Sequence, residues 1–206
     1  MIRLYLMIID PSSLAPRDRY RLLISTVAPR PIAWVSTRAV DGSHNLAPFS
    51  FFQAVSGTPP LIILSVGKRS GQPKDTLRNI EQTGEFVVNI VTEELAERMN
   101  QTSGDWPPGV DEFDVAGLTP APSLVVAAPR VAESPINLEA KCKQIVPLEG
   151  SDYTLVVGEV LRWHLADGLL APDGFIDIAR VRPIARLARD EYVRFGQVFS
   201  MPRPKV

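Results

Sequence analysis

Asn45-Leu46-Ala47-Pro48-Phe49-Ser50-Phe51-Phe52 is the stretch that decides the fold. Its apolar and aromatic residues favour an extended chain. Pro48, however, has no N–H to give to a central ladder, which confines the run to a sheet edge or a bulge. Just before it, Asp41-Gly42 carries a hairpin turn signal. Before that turn, Pro31 opens Ile32-Ala33-Trp34-Val35-Ser36-Thr37, whose composition suits a strand. After it, residues 61–66 make a short apolar strand behind Pro59-Pro60.

Further out, the periodicity alternates between strand and helix. A helical turn is expected at 16–23, with Pro16 near its first position. Asp75 or Thr76 caps a helix running through Leu77, Ile80 and Glu81 to Gly84. Residues 86–91 read as a strand, and 92–100 as a helix in which Leu95, Ala96 and Met99 share a face. Residues 103–117 are a long acidic, aromatic loop around Trp106-Pro107-Pro108-Gly109, and loops of that length are usually functional or packed on a partner. In the second half, Leu138, Ala140 and Cys142 alternate with Glu139, Lys141 and Lys143. Tyr153, Leu155 and Val157 lead on to Leu161, Trp163 and Leu165 in one long strand, bulged at Gly158, and 175–178 is a further short strand. Several antiparallel strands with a few short helices and no βαβ rhythm predict a mainly β barrel or sandwich. No repeat or linker divides the chain, so 1–206 reads as a single domain with an N-terminal extension at 1–15 and a C-terminal tail at 190–206.

Composition narrows the function. The chain has 206 residues, with 22 Lys+Arg against 23 Asp+Glu, a net charge of −1. Nucleic acid and anionic membrane surfaces both reward a basic excess that is missing here. The single cysteine, Cys142, and two histidines exclude an internal disulfide and a cysteine-rich zinc site. Proline is abundant, at 19 residues spread between apolar runs, which suits strands and loops better than a helical bundle. The run 4–9 stops at Asp10-Pro11 without a small-residue cleavage site, and no stretch approaches the ~20 apolar residues of a membrane span. A cytoplasmic protein is expected. Met7 stands where a start codon can lie, which would make residues 1–6 an upstream extension.

The familiar catalytic signatures are absent: no G-x-G-x-x-G after a strand, no Walker sequence, no nucleophile elbow. His44 and His164 have no sequence neighbour that completes an acid–base or metal pair, and Cys142 reads as core packing. Hard chemistry would therefore have to come from a bound organic cofactor.

Four segments carry a resemblance: Ala28-Pro29-Arg30-Pro31-Ile32-Ala33-Trp34-Val35-Ser36-Thr37, the run 45–52, Lys74-Asp75-Thr76 with Asn79-Ile80, and Thr83-Gly84-Glu85-Phe86-Val87-Val88-Asn89. In this order the chain resembles the flavin reductase-like, flavoredoxin-type family of FMN-binding split barrels. Asp111-Glu112-Phe113, Ala116-Gly117-Leu118, Ser134-Pro135 and the tail 192–204 extend the match over nearly the whole chain. One departure is Glu139-Ala140-Lys141-Cys142, where relatives often place the cysteine directly after the glutamate. The resemblance implies a six-stranded antiparallel Greek-key barrel and a homodimer with FMN at the subunit interface. It also implies electron transfer through that flavin, commonly from NADH or NADPH. A monooxygenase or an electron-transfer protein is then a candidate partner, with the acceptor left open. An FMN-containing electron carrier without enzymatic activity is the alternative.

The residues can be asked whether they suit FMN. Lys74-Asp75-Thr76 opens a helix whose first amides and dipole favour an anion. Lys74 adds charge, Thr76 a hydroxyl, and Arg69 in the preceding loop a planar fork; a plain helix cap beside a solvated lysine is the other reading. For the ring, Asn45, Ala47, Pro48, Phe49 and Ser50 offer small and rigid residues and unpaired edge amides, or simply an edge strand whose aromatics fill the core. Ser50 is expected near the phosphate or ribityl chain, and Ser36 and Thr37 as polar neighbours. Arg30 can bind an anion or pair with an acid. Trp34 can sit in the core or at a dimer contact. Tyr192 and Phe195 can cross to a partner's pocket.

Overall fold

A computed structural model describes residues 7–107 and 109–204. Residues 1–6 of the N-terminal extension, with the choice between Met1 and Met7, lie outside the described residues, as do Pro108 and residues 205–206 of the tail.

Helix α1 (Pro16–Thr26) has Pro16 in its first turn and runs past the expected end at 23, burying no residue. Strands β1 (Arg30–Pro31), β2 (Ala33–Arg38), β3 (His44–Phe49), β4 (Phe52–Gly57) and β5 (Pro60–Gly67) precede α2 (Asp75–Thr83) and β6 (Glu85–Ile90). A short turn at Glu93–Leu95 leads into α3 (Ala96–Gln101), and α4 (Glu112–Val115) interrupts the long loop. There follow β7 (Pro120–Ala121), β8 (Arg130–Val131), the long β9 (Ile136–Pro147) and β10 (Tyr153–Leu165), α5 (Ile178–Val181), β11 (Ala185–Arg186) and β12 (Tyr192–Val193).

The main sheet is antiparallel, in the order β3-β2-β6-β9-β10-β5-β4. It has seven strands where six were expected, because the run 45–52 is two strands. The chain turns at Ser50-Phe51, so β3 and β4 lie at opposite edges of one sheet. Edges joined by so short a link must stand side by side, which rolls the sheet into a barrel split along that seam. Pro48 lies in edge strand β3, where its missing N–H leaves no ladder bond unmade. The Ser65 amide donates to Phe51 O at 2.8 Å and fastens the corner.

Alternation along the strands fills two cores. Ala33, Val35, Leu64, Phe86 and Val156 face the barrel interior, and Leu77 and Ile80 of α2 close one end of it. Trp34, Leu46, Met99, Phe113 and Ile184 form a second core outside the barrel wall. Trp34 is thus a core residue, its indole N–H donating to Thr102 Oγ1 at 2.9 Å. The register of β9 and β10 shifts at Val157/Gly158. A Cβ at Gly158 would run into the Phe86 ring, so the glycine permits the close approach of two barrel walls.

The structure departs from the local sequence pattern at three places. Residues 175–178 do not form a strand: Leu170 and Ile176 make one isolated bridge, and the Asp177 carboxylate caps α5 instead by accepting from the Ala179 amide. Glu139 alternates in one row with Lys141 and Lys143 but, unlike them, is fully buried. Its carboxylate accepts from the amides of Leu124, Val125 and Val126, which lie over β9. His164 Nε2 donates to the same carboxylate, and His44 Nδ1 lies 3.4 Å from Asp111 Oδ2. Both histidines therefore do acquire carboxylate partners, from residues far away in sequence. Among the described residues no helix is long and apolar enough to cross a membrane.

Candidate flavin site

Where the start of α2 meets edge strand β3, the surface opens into a cavity of about 510 Å³. Asn45, Ala47, Pro48, Arg69, Lys74 and Thr76 line it, with residues 102–106 and Glu112 as the facing wall. Six of the ten residues singled out from sequence therefore share one cavity.

Lys74 is the N-cap of α2, with extended backbone and no side-chain cap on the first turn. The amides of that turn therefore have no side-chain acceptor, as an anion site requires. The Lys74 ammonium lies 5.5 Å from the centroid of the Phe49 ring. Burial holds it below its usual pKa, and the charge of Arg69 adds to this while Asp105 opposes it. Thr76 is held in place: Asn45 Nδ2 donates to Thr76 Oγ1 at 2.9 Å. Behind that pair, Asn79 Nδ2 donates to Thr37 Oγ1 at 2.9 Å, so Thr37 backs the site rather than lining it. Arg69 turns to the wall, its Nη2 2.6 Å from Asp105 Oδ1 and 3.3 Å from Gly104 O. Its fork is shared with that loop.

Ser36 and Ser50 stand apart from this cluster. The Ser36 hydroxyl points through the other face of β2 to Pro129 O at 2.5 Å. Ser50 lies beyond Pro48, its Oγ 3.4 Å from Arg30 Nε. A second cavity of about 380 Å³ opens there, sharing Pro48 and Ser103 with the first and lined also by Tyr20, Ile32, Ser50 and Tyr192. The two make one groove running past Pro48. Within the chain, β12 pairs with β11, and the Tyr192 ring packs on the outer core. Arg30 pairs with no acid among the described residues: its Nη1 donates to Ile24 O and Val27 O, at 2.7 and 2.6 Å.

Glu112 was not singled out from sequence. Its Oε2 accepts from the Leu46 amide at 3.0 Å, on the free edge of β3. Burial raises its pKa, against the lowering effect of that bond. With the Leu46 amide taken and Pro48 lacking one, β3 offers a shorter row of free donors than its sequence promised. Asp111-Glu112-Phe113 was a visible motif, but nothing local shows that its carboxylate reaches back to residue 46.

Residues 25–181 match the family described as flavin reductase like domain. The chain belongs to the flavin reductase-like family. This flavin reductase-like protein is 44% identical to an uncharacterized protein of Halalkalibacterium halodurans, over 96% of its own length and 97% of the relative's. Its fold superposes on nitrilotriacetate monooxygenase component B from Bacillus cereus with a TM-score of 0.92 and 36% identity, covering 95% of this chain and 98% of that one. It is similar too to the 2-nitrobenzoate 2-nitroreductase NbaA of Pseudomonas fluorescens, with a TM-score of 0.88, 30% identity and 96% of each chain covered.

Proposed function

We propose that the protein binds FMN in the groove along β3 and transfers hydride to it from NADH or NADPH, as a homodimeric, cytoplasmic flavin reductase. The observation that carries this reading is the head of the groove. A partly desolvated lysine, an uncapped helix start and a buried threonine hydroxyl face one cavity. Their chemistry fits a terminal phosphate dianion: Lys74 supplies charge, the first amides of α2 donate, and Thr76, fixed by Asn45, donates its hydroxyl. Arg69 stands behind them, tied to Asp105. Ala47 and Pro48 give the ring a flat, small-residue floor along the groove, Phe49 backs Lys74 from the barrel side, and Ser50 marks the groove's far half. Thr37 acts through Asn45 and Asn79, and the Ser36 hydroxyl has no part in the groove.

When bound, the flavin supplies a hydride acceptor, so the protein needs to position two rings and no more. That suits a groove in which a lysine, hydroxyls and a proline face the ligand, while Asp105 and Glu112 are engaged with Arg69 and the Leu46 amide. The similarity to a monooxygenase component and to a nitroreductase supports an oxidoreductase whose electrons pass on to a second acceptor or partner.

Anaerobic mixing with FMN and NADH or NADPH tests the reading. The oxidised flavin band is expected to bleach, with sustained turnover once an acceptor is added. Reduction by dithionite or by a reduced electron-transfer protein, but by neither nicotinamide, would replace the reductase with an FMN electron carrier of flavoredoxin type.

A further inference from the structure

Beyond Ser50 the groove leads into a third hollow of about 870 Å³, between α1 and residues 186–190. It shares Tyr20, Ser50, Arg186 and Asp190 with the middle cavity. Arg17, Arg21, Arg30, Arg186 and Arg189 line it, against the single acid Asp190. In a chain of net charge −1, this is a local concentration of positive charge and not a consequence of composition.

The guanidinium groups differ in what they have left to give. Arg30 is buried, and its donors go to backbone carbonyls and the Ser50 hydroxyl, with Nη2 reaching Leu187 O at 2.7 Å. It contributes charge to the floor. Burial is the main reason its pKa is lowered, and the charge of Arg186 adds to that while Tyr20 opposes it. Arg186 lies 4.4 Å over the Tyr192 ring and donates to Arg189 O. Its acid, Asp190, is 3.9 Å away on a fully exposed side chain. Arg17, Arg21 and Arg189 are exposed at the rim. Of these, Arg21 touches exposed Asp18 at 3.0 Å, and Arg189 approaches Glu191 only to 4.0 Å. Arg189 also has a backbone φ of +51°, in the left-handed region that a non-glycine residue rarely adopts. Strain of that kind collects at ligand clamps.

A planar fork matches two oxygens of one phosphate or carboxylate. One carboxylate would occupy one fork and leave the remaining charge uncompensated, whereas a ligand bearing several phosphate charges answers the whole cluster. We propose that this cleft docks the phosphate groups of the nicotinamide dinucleotide donor, whose nicotinamide end then reaches the groove past Ser50. Arg17, Arg21 and Arg189 hold the phosphates, over a floor charged by Arg30 and Arg186. The assignment rests on the flavin reading above.

Calorimetric titration of NADP+, NAD+ and benzoate into the full chain, with and without FMN, tests it, alongside FMN affinity by fluorescence quenching. In the Arg17→Ala/Arg189→Ala variant, dinucleotide affinity is expected to fall about tenfold or more, while FMN affinity stays within about twofold. The single Arg21→Ala variant, at an exposed position, is expected to fall in the same direction. Wild-type dinucleotide affinity should also drop steeply with added salt. Unchanged dinucleotide affinity in both variants would overturn the proposal, and so would arginine-dependent binding of benzoate with none of either dinucleotide. Arginine-dependent dinucleotide binding without any FMN quenching would uphold the cleft and refute the flavin reading.

Discussion

Lys74 carries a charge into a place where desolvation works against it, and a counter-anion would relieve that cost. Charge-assisted hydrogen bonds to phosphate are worth about 1.5–3 kcal/mol each. Lys74→Ala is therefore expected to weaken FMN about tenfold or more, while riboflavin, which lacks the phosphate, changes little. Quenching titrations with both flavins check this, and equal losses for the two would refute the phosphate assignment. Gly158 presents the opposite case, a residue whose value is the atom it lacks. Since a Cβ there meets the Phe86 ring inside a filled barrel, Gly158→Ala should cost about 1–3 kcal/mol, read as a lower denaturation midpoint. The glycine was legible as a bulge from its place in a strand pattern. Its ring neighbour was not, because Phe86 lies two strands away in the sheet.

At the level of elements, two buried carboxylates tie loops to strands and respond to pH in opposite senses. For Glu139, burial raises the pKa, but the amides of Leu124 and Val125 together with His164 outweigh it and hold the group below its ordinary value of 4.5. The stability it contributes is thus fully present above that value and is lost as pH falls through the lower, folded one. Glu139→Gln should remove about 2 kcal/mol at neutral pH, with the difference from wild type closing in acid, as thermal melts across pH would show. Glu112 is raised, so at low pH it is neutral in both states and costs nothing. As pH climbs from the unfolded value through the folded one, its ionisation penalises the native state. Glu112→Gln, whose amide oxygen still accepts from Leu46, should melt higher than wild type at about pH 7.5 and equally at about pH 4. Neither role could be read along the chain. Alternation puts Glu139 in one row with Lys141 and Lys143, and only the loop folded over β9 from residues 124–126 sets it apart from them. Pro48, Asp41-Gly42 and the Lys74–Thr76 helix start were legible because each acts on its own backbone. Which residues face each across space depends on contacts that local pattern does not encode.

Taken whole, the molecule leaves much apolar surface uncovered. Val55 and Trp163 are each 53% exposed, and Leu124 and Phe175 each 74%. Large apolar side chains left to water are the material of interaction surfaces, and the cavity beside β3 opens at the surface. The proposed homodimer would account for both, with an interface of more than ~2,000 Å² as obligate pairs usually have. Light scattering at low micromolar concentration should give about twice the 22.7 kDa chain mass; a monomer that still binds FMN would refute the pairing. The seam between β3 and β4 bears on motion rather than assembly. These two edges have ladder partners on one side only, whereas β6 and β9 are hydrogen-bonded on both. In heavy water, then, amide protons should be replaced first along the seam and last in the opposite wall, so that the barrel loosens on the side proposed to bind flavin while the far side keeps its shape.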